Sequence, residues 1–187
     1  MWSKILDTIA TVFLVGLVIK IMDDYLDQEI DRLNERKTLA IKLQRGVVPY
    51  TLLLFSFAVL INYQLTISLF WASYIIGMGI SNNSLPTGLK SYQEVLIMLG
   101  LGFLVLQWKL FLFTLAIILF IQLIDDFIDF HLEDYINRDN FVNYLGEWGT
   151  ILLALLSLII ALQIDWKTSF IIMIITLVVV RLLKIHN

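Results

Sequence analysis

The sequence has no cysteine and only two histidines, His131 and His186, among 187 residues. Without cysteine there can be no disulfide, no thiolate nucleophile and no Cys-type zinc site. Two histidines are too few for a multi-histidine metal centre. Any metal is therefore held by oxygen, which favours Mg²⁺, Mn²⁺ or Ca²⁺. Charge is sparse as well: 13 Lys+Arg against 16 Asp+Glu, for a net charge of −3. No basic run with interleaved aromatics occurs outside one loop, so nucleic acid is not an expected partner.

What fills the chain instead is apolar residues. They make up 59% of it, with a mean hydropathy of +0.86, whereas soluble domains sit near 45–50% apolar. The apolar residues come in long runs, and about 20 of them cross a bilayer core. Seven spans are expected: 6–23, 47–63, 65–81, 92–107, 109–126, 149–165 and 167–185. The fourth and fifth are separated by Trp108 and Lys109 alone, which demands a very tight turn. The N-terminal run follows Lys4 but has no small-residue cleavage site after it, so it is expected as a first span and not a signal peptide. The fold class predicted is an all-α membrane protein, residues 1–187 forming one domain of about seven helices around a central cavity.

Charge placement predicts orientation. With seven spans, Arg32, Arg36, Lys37, Lys42, Arg45, Lys90, Arg138, Arg181 and Lys184 fall on the side of the C-terminus, and only Lys4, Lys109 and Lys167 on the other. The positive-inside rule then puts the N-terminus outside and the C-terminus in the cytoplasm, with the cell membrane as the expected location.

The most specific pattern is an internal repeat. Residues 21–31 read IMDDYLDQEID and residues 123–133 read LIDDFIDFHLE, aligned without gaps at an offset of 102. Asp23, Asp24, Asp27 and Asp31 fall on Asp125, Asp126, Asp129 and Glu133; Tyr25 falls on Phe127, Arg36 on Arg138 and Lys20 on Gln122. Four spans lie between the copies, and an even number of crossings returns both to one face. This predicts a parallel duplication of a four-helix unit, with units near 1–91 and 92–187 and the second truncated.

On a helix at about 100° per residue, Asp27, Asp31 and Asp24 lie about 40°, 80° and 100° from Asp23, with Lys20 on the same arc one turn deeper. Carboxylates so close repel and are costly near hydrocarbon, so a cation is expected to neutralise them. Two facing clusters would hold two or three hard cations, and those would grip a diphosphate. Solvated helix ends at an interface would explain one such cluster. Two gap-free DDxxD copies with a further acid four residues on, both on one side, are a more specific signal. Lys20, Arg32, Arg36, Lys90 and Arg138 are the candidate diphosphate-binding cations, although topology signalling alone accounts for most basic loop residues. Tyr25, Trp71, Tyr74, Phe120 and Phe127 are candidates to wall a chamber and stabilise a carbocation through their ring faces, against a plainer role in packing.

At these residues the sequence resembles the UbiA superfamily of intramembrane prenyltransferases, which carries two Asp-rich motifs, commonly NDxxDxxxD and DxxxDxxxD. Here they read DDYLDQEID and DDFIDFHLE; DQEIDRLNER, Leu145-Gly146 and LPTGLKS also look like family segments. The resemblance implies a Mg²⁺-dependent enzyme in which Asp23, Asp24, Asp27 and Asp31, with Asp125, Asp126, Asp129 and Glu133, hold two or three Mg²⁺ (or Mn²⁺). It implies that Asp24, Asp27, Asp125 and Asp129 are central to catalysis and that Lys90 contacts the diphosphate. The implied substrate is an isoprenyl diphosphate, with membrane lipid around the protein and a lipophilic acceptor. The departures are Asp23 for the leading Asn, Glu133 for the last Asp, KTLAIKLQRG in place of an RPLPSG-like stretch, and seven spans where the family commonly has nine. Cyclisation of the prenyl chain without an acceptor is the alternative outcome. A divalent-cation transporter would instead place its acids near the bilayer midplane on broken helices. A CDP-alcohol phosphotransferase would need a glycine after the first acid, and Tyr25 stands there.

Overall fold

A computed structural model describes residues 2–79, 87–133, 135 and 139–185, which form helices and no strand. The order is α1 (Trp2–Leu26), α2 (Gln28–Leu33), α3 (Leu39–Leu43), a 3₁₀ turn (Gln44–Gly46), α4 (Val47–Met78), α5 (Ser91–Val105), α6 (Trp108–Leu132) and α7 (Phe141–Ile185). Four helical segments are long and apolar enough to cross a membrane: Ser3–Leu26, Leu39–Met78, Trp108–Leu132 and Phe141–Leu183. α5 is apolar but shorter.

The two longest helices are not continuous. Asn62 breaks α4 at φ −151°, ψ 91°. Asp165 breaks α7 at φ −151°, ψ 90°. These are extended angles far from helical ones. Asn62 Oδ1 accepts from the Leu65 N–H at 3.1 Å, capping the helix that restarts behind it. A third break in α7, at Gly146 with φ 70° and ψ 169°, lies in backbone space that only glycine enters cheaply. The connection from α5 to α6 is two extended residues, Leu106 and Gln107, two residues earlier than Trp108 and Lys109, which the spacing of apolar runs implied.

The chain divides into two compact units: Met1–Ile67 with Lys167–Asn187, and Ser68–Trp166. In the first, α1 buries Val12, Val15, Val18 and Ile21 along one face. Ile21 meets Ala40 of α3 and Val47 of α4, with Leu39, Leu43 and Leu54 packed around them. α3 thus folds back onto the end of α1 beside the acids. A Cβ on Gly16 would sit 3.5 Å from Val179, so α1 also lies against the last part of α7. In the second unit α6 is the central element, burying Phe111, Phe113, Ala116, Ile117 and Leu123. Gly102 of α5 lies under the Phe111 ring, 2.6 Å from its Cε1 at the position of a Cβ, so no larger residue fits without repacking. The first half of α7 turns Thr150, Ala154, Ser157 and Ala161 inward. Small residues at this spacing let apolar helices approach closely where no hydrophobic effect drives them together. Some hydroxyls inside the helices donate to their own backbone, as Thr51 does to Val47 O (2.8 Å) and Ser157 to Ala154 O (2.8 Å), which removes their cost in an apolar medium, whereas the buried hydroxyls of Thr11, Thr66 and Ser68 have no partner among the described residues.

Candidate functional site

The first acid cluster is built on the last turns of α1. Residues three and four apart share a helix face, so Lys20 reaches two acids at once: its Nζ donates to Asp23 Oδ2 at 2.9 Å and lies 3.2 Å from Asp24 Oδ1. Asp24 is 7% exposed. Asp27 interrupts the helix at φ −91°, ψ 11°, so the acids do not sit on one unbroken helix. The ladder nevertheless runs on, since the Asp27 N–H donates to Asp23 O (3.0 Å) and the Asp31 N–H to Asp27 O (2.9 Å). Asp31 therefore still follows Asp27 by one turn. α2 ends in a Schellman turn: the Arg36 N–H bonds Asp31 O (2.8 Å), the Glu35 N–H bonds Arg32 O (3.2 Å), and Glu35 takes φ 55°. That closure turns Arg36 back toward Asp31.

Asp31 is the least satisfied of these acids. It is 7% exposed, and its Oδ2 has no hydrogen-bond partner among the described residues. Burial, and then the charge of Asp24, push its carboxyl up from 3.8 to about 6; Lys20 and Arg36 pull the other way and Asp23 adds to the rise.

The second cluster is organised differently. Asp126, 8% exposed, accepts from Gln122 Nε2 at 2.8 Å and from the Phe141 N–H at 2.7 Å. Asn140 donates through Nδ2 to the Asp126 carbonyl (2.8 Å), and its Oδ1 accepts from the Val142 N–H (2.8 Å) as the N-cap of α7. Asp126 and Asn140 together close the start of α7 onto the end of α6. Asp125 and Asp129 lie half-buried on α6, and Glu133 ends that helix. His131 rests on Phe127 at 4.6 Å between ring centroids, with Nε2 3.9 Å from Glu147 Oε2.

The candidate cations and aromatics are dispersed. Arg32 is exposed. Lys90 starts α5, its N–H donating to Gln93 Oε1 (3.1 Å) and its ammonium 6.0 Å from the Tyr92 ring centroid. Arg138 lies outside the described residues. Trp71 Nε1 donates to Met98 O at 3.0 Å, and Tyr74 OH donates to Glu94, which also accepts from Thr87 Oγ1 at 2.7 Å. Both aromatics tie α4 to α5. Within the second unit a cavity of about 280 Å³ is walled by Ile75, Leu99, Leu115, Leu119, Leu153 and neighbouring apolar groups, with Ser157 as its polar member. None of Tyr25, Trp71, Tyr74, Phe120 or Phe127 lines it.

Two groups escaped the reading of the sequence. Asn140 was legible as an N-cap, a polar residue immediately before the apolar Phe141-Val142 pair. The Tyr74–Glu94–Thr87 cluster carried no signal, because its partners are 20 and 7 residues from Glu94 and meet only through packing.

Among the described residues no three carboxylates or histidines gather closely enough to hold a metal by themselves. Mg²⁺ does not require that: it is commonly held by one or two carboxylates, with water and phosphate oxygens completing the shell. An all-oxygen donor set that includes a buried, unpartnered Asp31 oxygen fits a hard cation.

The long apolar helices carry large exposed side chains, Leu60, Leu104 and Leu152 among them, a surface that suits lipid and not water. These features define an all-α integral membrane protein. Compared with protein-family models, curated proteins and solved structures, the chain matches none.

Proposed function

We propose that the chain is a Mg²⁺-dependent intramembrane enzyme that ionises an isoprenyl diphosphate and transfers the prenyl group to a lipophilic acceptor. The observation that carries this reading is the buried, unpartnered Asp31 oxygen beside Asp24, in a cluster whose DDxxD pattern recurs at Asp125–Asp129. Asp24, Asp27 and Asp31 would hold metal in one copy, and Asp125, Asp129 and Glu133 in the other. Bound Mg²⁺ would neutralise the diphosphate oxygens and make the diphosphate a better leaving group. Lys20, Arg36 and Lys90 would stabilise the negative charge that grows on the departing diphosphate. Apolar walls would take the hydrocarbon and keep water from the allylic cation. If no acceptor enters, that cation would close on the prenyl chain's own distant double bond, and loss of a proton from the cyclic cation to the released diphosphate would give a cyclic terpene.

The same reading assigns topology. A straight helix of 32 residues is about 48 Å long and one of 45 residues about 68 Å, against a hydrocarbon core of about 30 Å. Each of α4 and α7 is too long for one crossing, and each is broken once near its middle, at Asn62 and Asp165. Read as turns, these breaks give about seven spans. The two breaks are 103 residues apart, one more than the offset of the acidic motif, which supports a duplication reaching beyond that motif. The acids then face the cytoplasm, with the N-terminus outside and the C-terminus inside.

Purified protein incubated with Mg²⁺ and geranyl, farnesyl or geranylgeranyl diphosphate tests the proposal. Cyclic hydrocarbon without acceptor identifies a cyclase; product only on adding a membrane extract identifies a transferase. Failure to release diphosphate under either condition would overturn both. Asp27→Ala and Asp129→Ala are each expected to lower turnover by about 10²–10⁴-fold, the scale of losing a key charge-stabilising group, with helix content retained by circular dichroism. Full activity in either variant rejects the site.

A further inference from the structure

The two copies of the acidic motif are not equivalent, and one of the differences changes the charge beside the buried aspartates. Residues 20 and 122 occupy the same place in the repeat, four residues before the buried aspartates Asp24 and Asp126. In the first copy that residue is a lysine whose Nζ bridges Asp23 (2.9 Å) and Asp24 (3.2 Å). In the second it is a glutamine, bound to Asp126 at 2.8 Å, while the Phe141 N–H takes the other carboxylate oxygen at 2.7 Å. Asp126 is thus satisfied by neutral donors, and residue 122 adds no charge to its cluster.

We propose that Lys20 is a tethered counter-cation of the first acid cluster, holding Asp23 and Asp24 until an incoming divalent cation displaces it. The proposal rests on the metal reading given above. An ammonium between two carboxylates occupies the position a shared cation would take. One ammonium sets a single positive charge against these two carboxylates, where a divalent ion would set two. The buried Asp31 Oδ2, with no hydrogen-bond partner among the described residues, is a second and independent sign that this cluster awaits a ligand. Displacement frees the ammonium for whatever anion arrives with the metal, and the four-carbon stem allows that movement without shifting α1. At the equivalent place the second cluster carries the neutral Gln122, so no ammonium has to leave Asp126 from that position.

Electron paramagnetic resonance of Mn²⁺ titrated into the detergent-solubilised full chain, with no substrate present, reads this directly. Lys20→Gln, which copies the second cluster at this position, is expected to tighten Mn²⁺ binding at the first cluster by about two- to fivefold, the range set by loss of one partly exposed ion pair. Lys20→Arg keeps a cation and stays within about 1.5-fold of the parent, while Gln122→Lys, which puts a cation beside Asp126, weakens Mn²⁺ binding at the second cluster by about two- to fivefold. Unchanged or weaker Mn²⁺ binding in Lys20→Gln with native helix content overturns the proposal, as does an absence of Mn²⁺ binding in every variant. Should Lys20→Gln not fold, the Gln122→Lys result decides alone, unchanged affinity being the rejecting outcome. The expected order of affinities without diphosphate release from any prenyl diphosphate would reject the enzymatic reading and leave this one standing. Diphosphate release with no effect of Lys20→Gln on Mn²⁺ would do the reverse.

Discussion

At the scale of single residues, the acids differ by what surrounds them. Asp31 is a carboxyl whose folded-state value is raised, from 3.8 to about 6. A raised value means the folded chain holds this proton more tightly than the unfolded one. The group's contribution to stability is therefore complete below about pH 4 and is lost as pH rises through about 6. Asp31→Asn removes that loss, so the variant should melt about 2–4 °C higher than the parent at pH 7.5, the shift that about 1 kcal/mol produces in a chain of this size. The gap should close toward pH 4. Thermal unfolding in detergent across this range checks it, and a gap independent of pH would contradict the assignment. Asp126 differs in its partners, its carboxylate being held by Gln122 and the Phe141 N–H. Asp126→Ala strips the start of α7 of an acceptor and should cost about 1–2 kcal/mol, as cap losses do, read as a lower melting temperature and faster proteolysis near residues 133–140. Asp126→Asn, which keeps one acceptor oxygen, should lose less.

Helices are shaped here by their ends and breaks more than by their apolar faces. Glu35 in left-handed space closes α2 and turns Arg36 toward the acids. Asn62, Gly146 and Asp165 interrupt helices whose composition would otherwise run on unbroken. Leu145-Gly146 has a conformational basis, because φ 70° is strained for any residue with a side chain. Between α5 and α6 a single close approach sets the packing: Gly102 under Phe111, whose ring also meets Phe103 edge-on at 5.1 Å. Gly102→Ala pushes a methyl into a fully buried ring and should cost about 1–3 kcal/mol. Chemical unfolding would show it as a lower midpoint with unchanged helix content; an unaffected midpoint would mean that the ring has room to move.

At the scale of the whole molecule the breaks at Asn62 and Asp165 set how often the chain crosses the bilayer. The absence of cysteine makes this directly measurable, since any introduced thiol is the only one present. Tyr63→Cys and Trp166→Cys, beside the two breaks, should react with a membrane-impermeant maleimide from the outer side. Arg32→Cys and Asp139→Cys should react only from the cytoplasmic side. Labelling of positions 32 and 63 from one side would remove the turn at Asn62 and with it the seven-span reading.

Much of this protein was determined by its sequence alone. Long apolar runs leave helix as the form that satisfies every backbone group in lipid, and the lack of Cys and scarcity of His restrict any metal to oxygen ligands. The gap-free repeat marks Asp24 and Asp126, and both are buried. Only the tertiary structure decided that these two aspartates have different partners, because a capping bond from Phe141 depends on how the chain returns 15 residues later. It alone decided that Asp31 keeps an unpartnered oxygen, and that Trp71 and Tyr74 tie α4 to α5. Periodicity reports which face of a helix turns inward. What that face meets is set by contacts between residues far apart in the chain, and no local pattern encodes them.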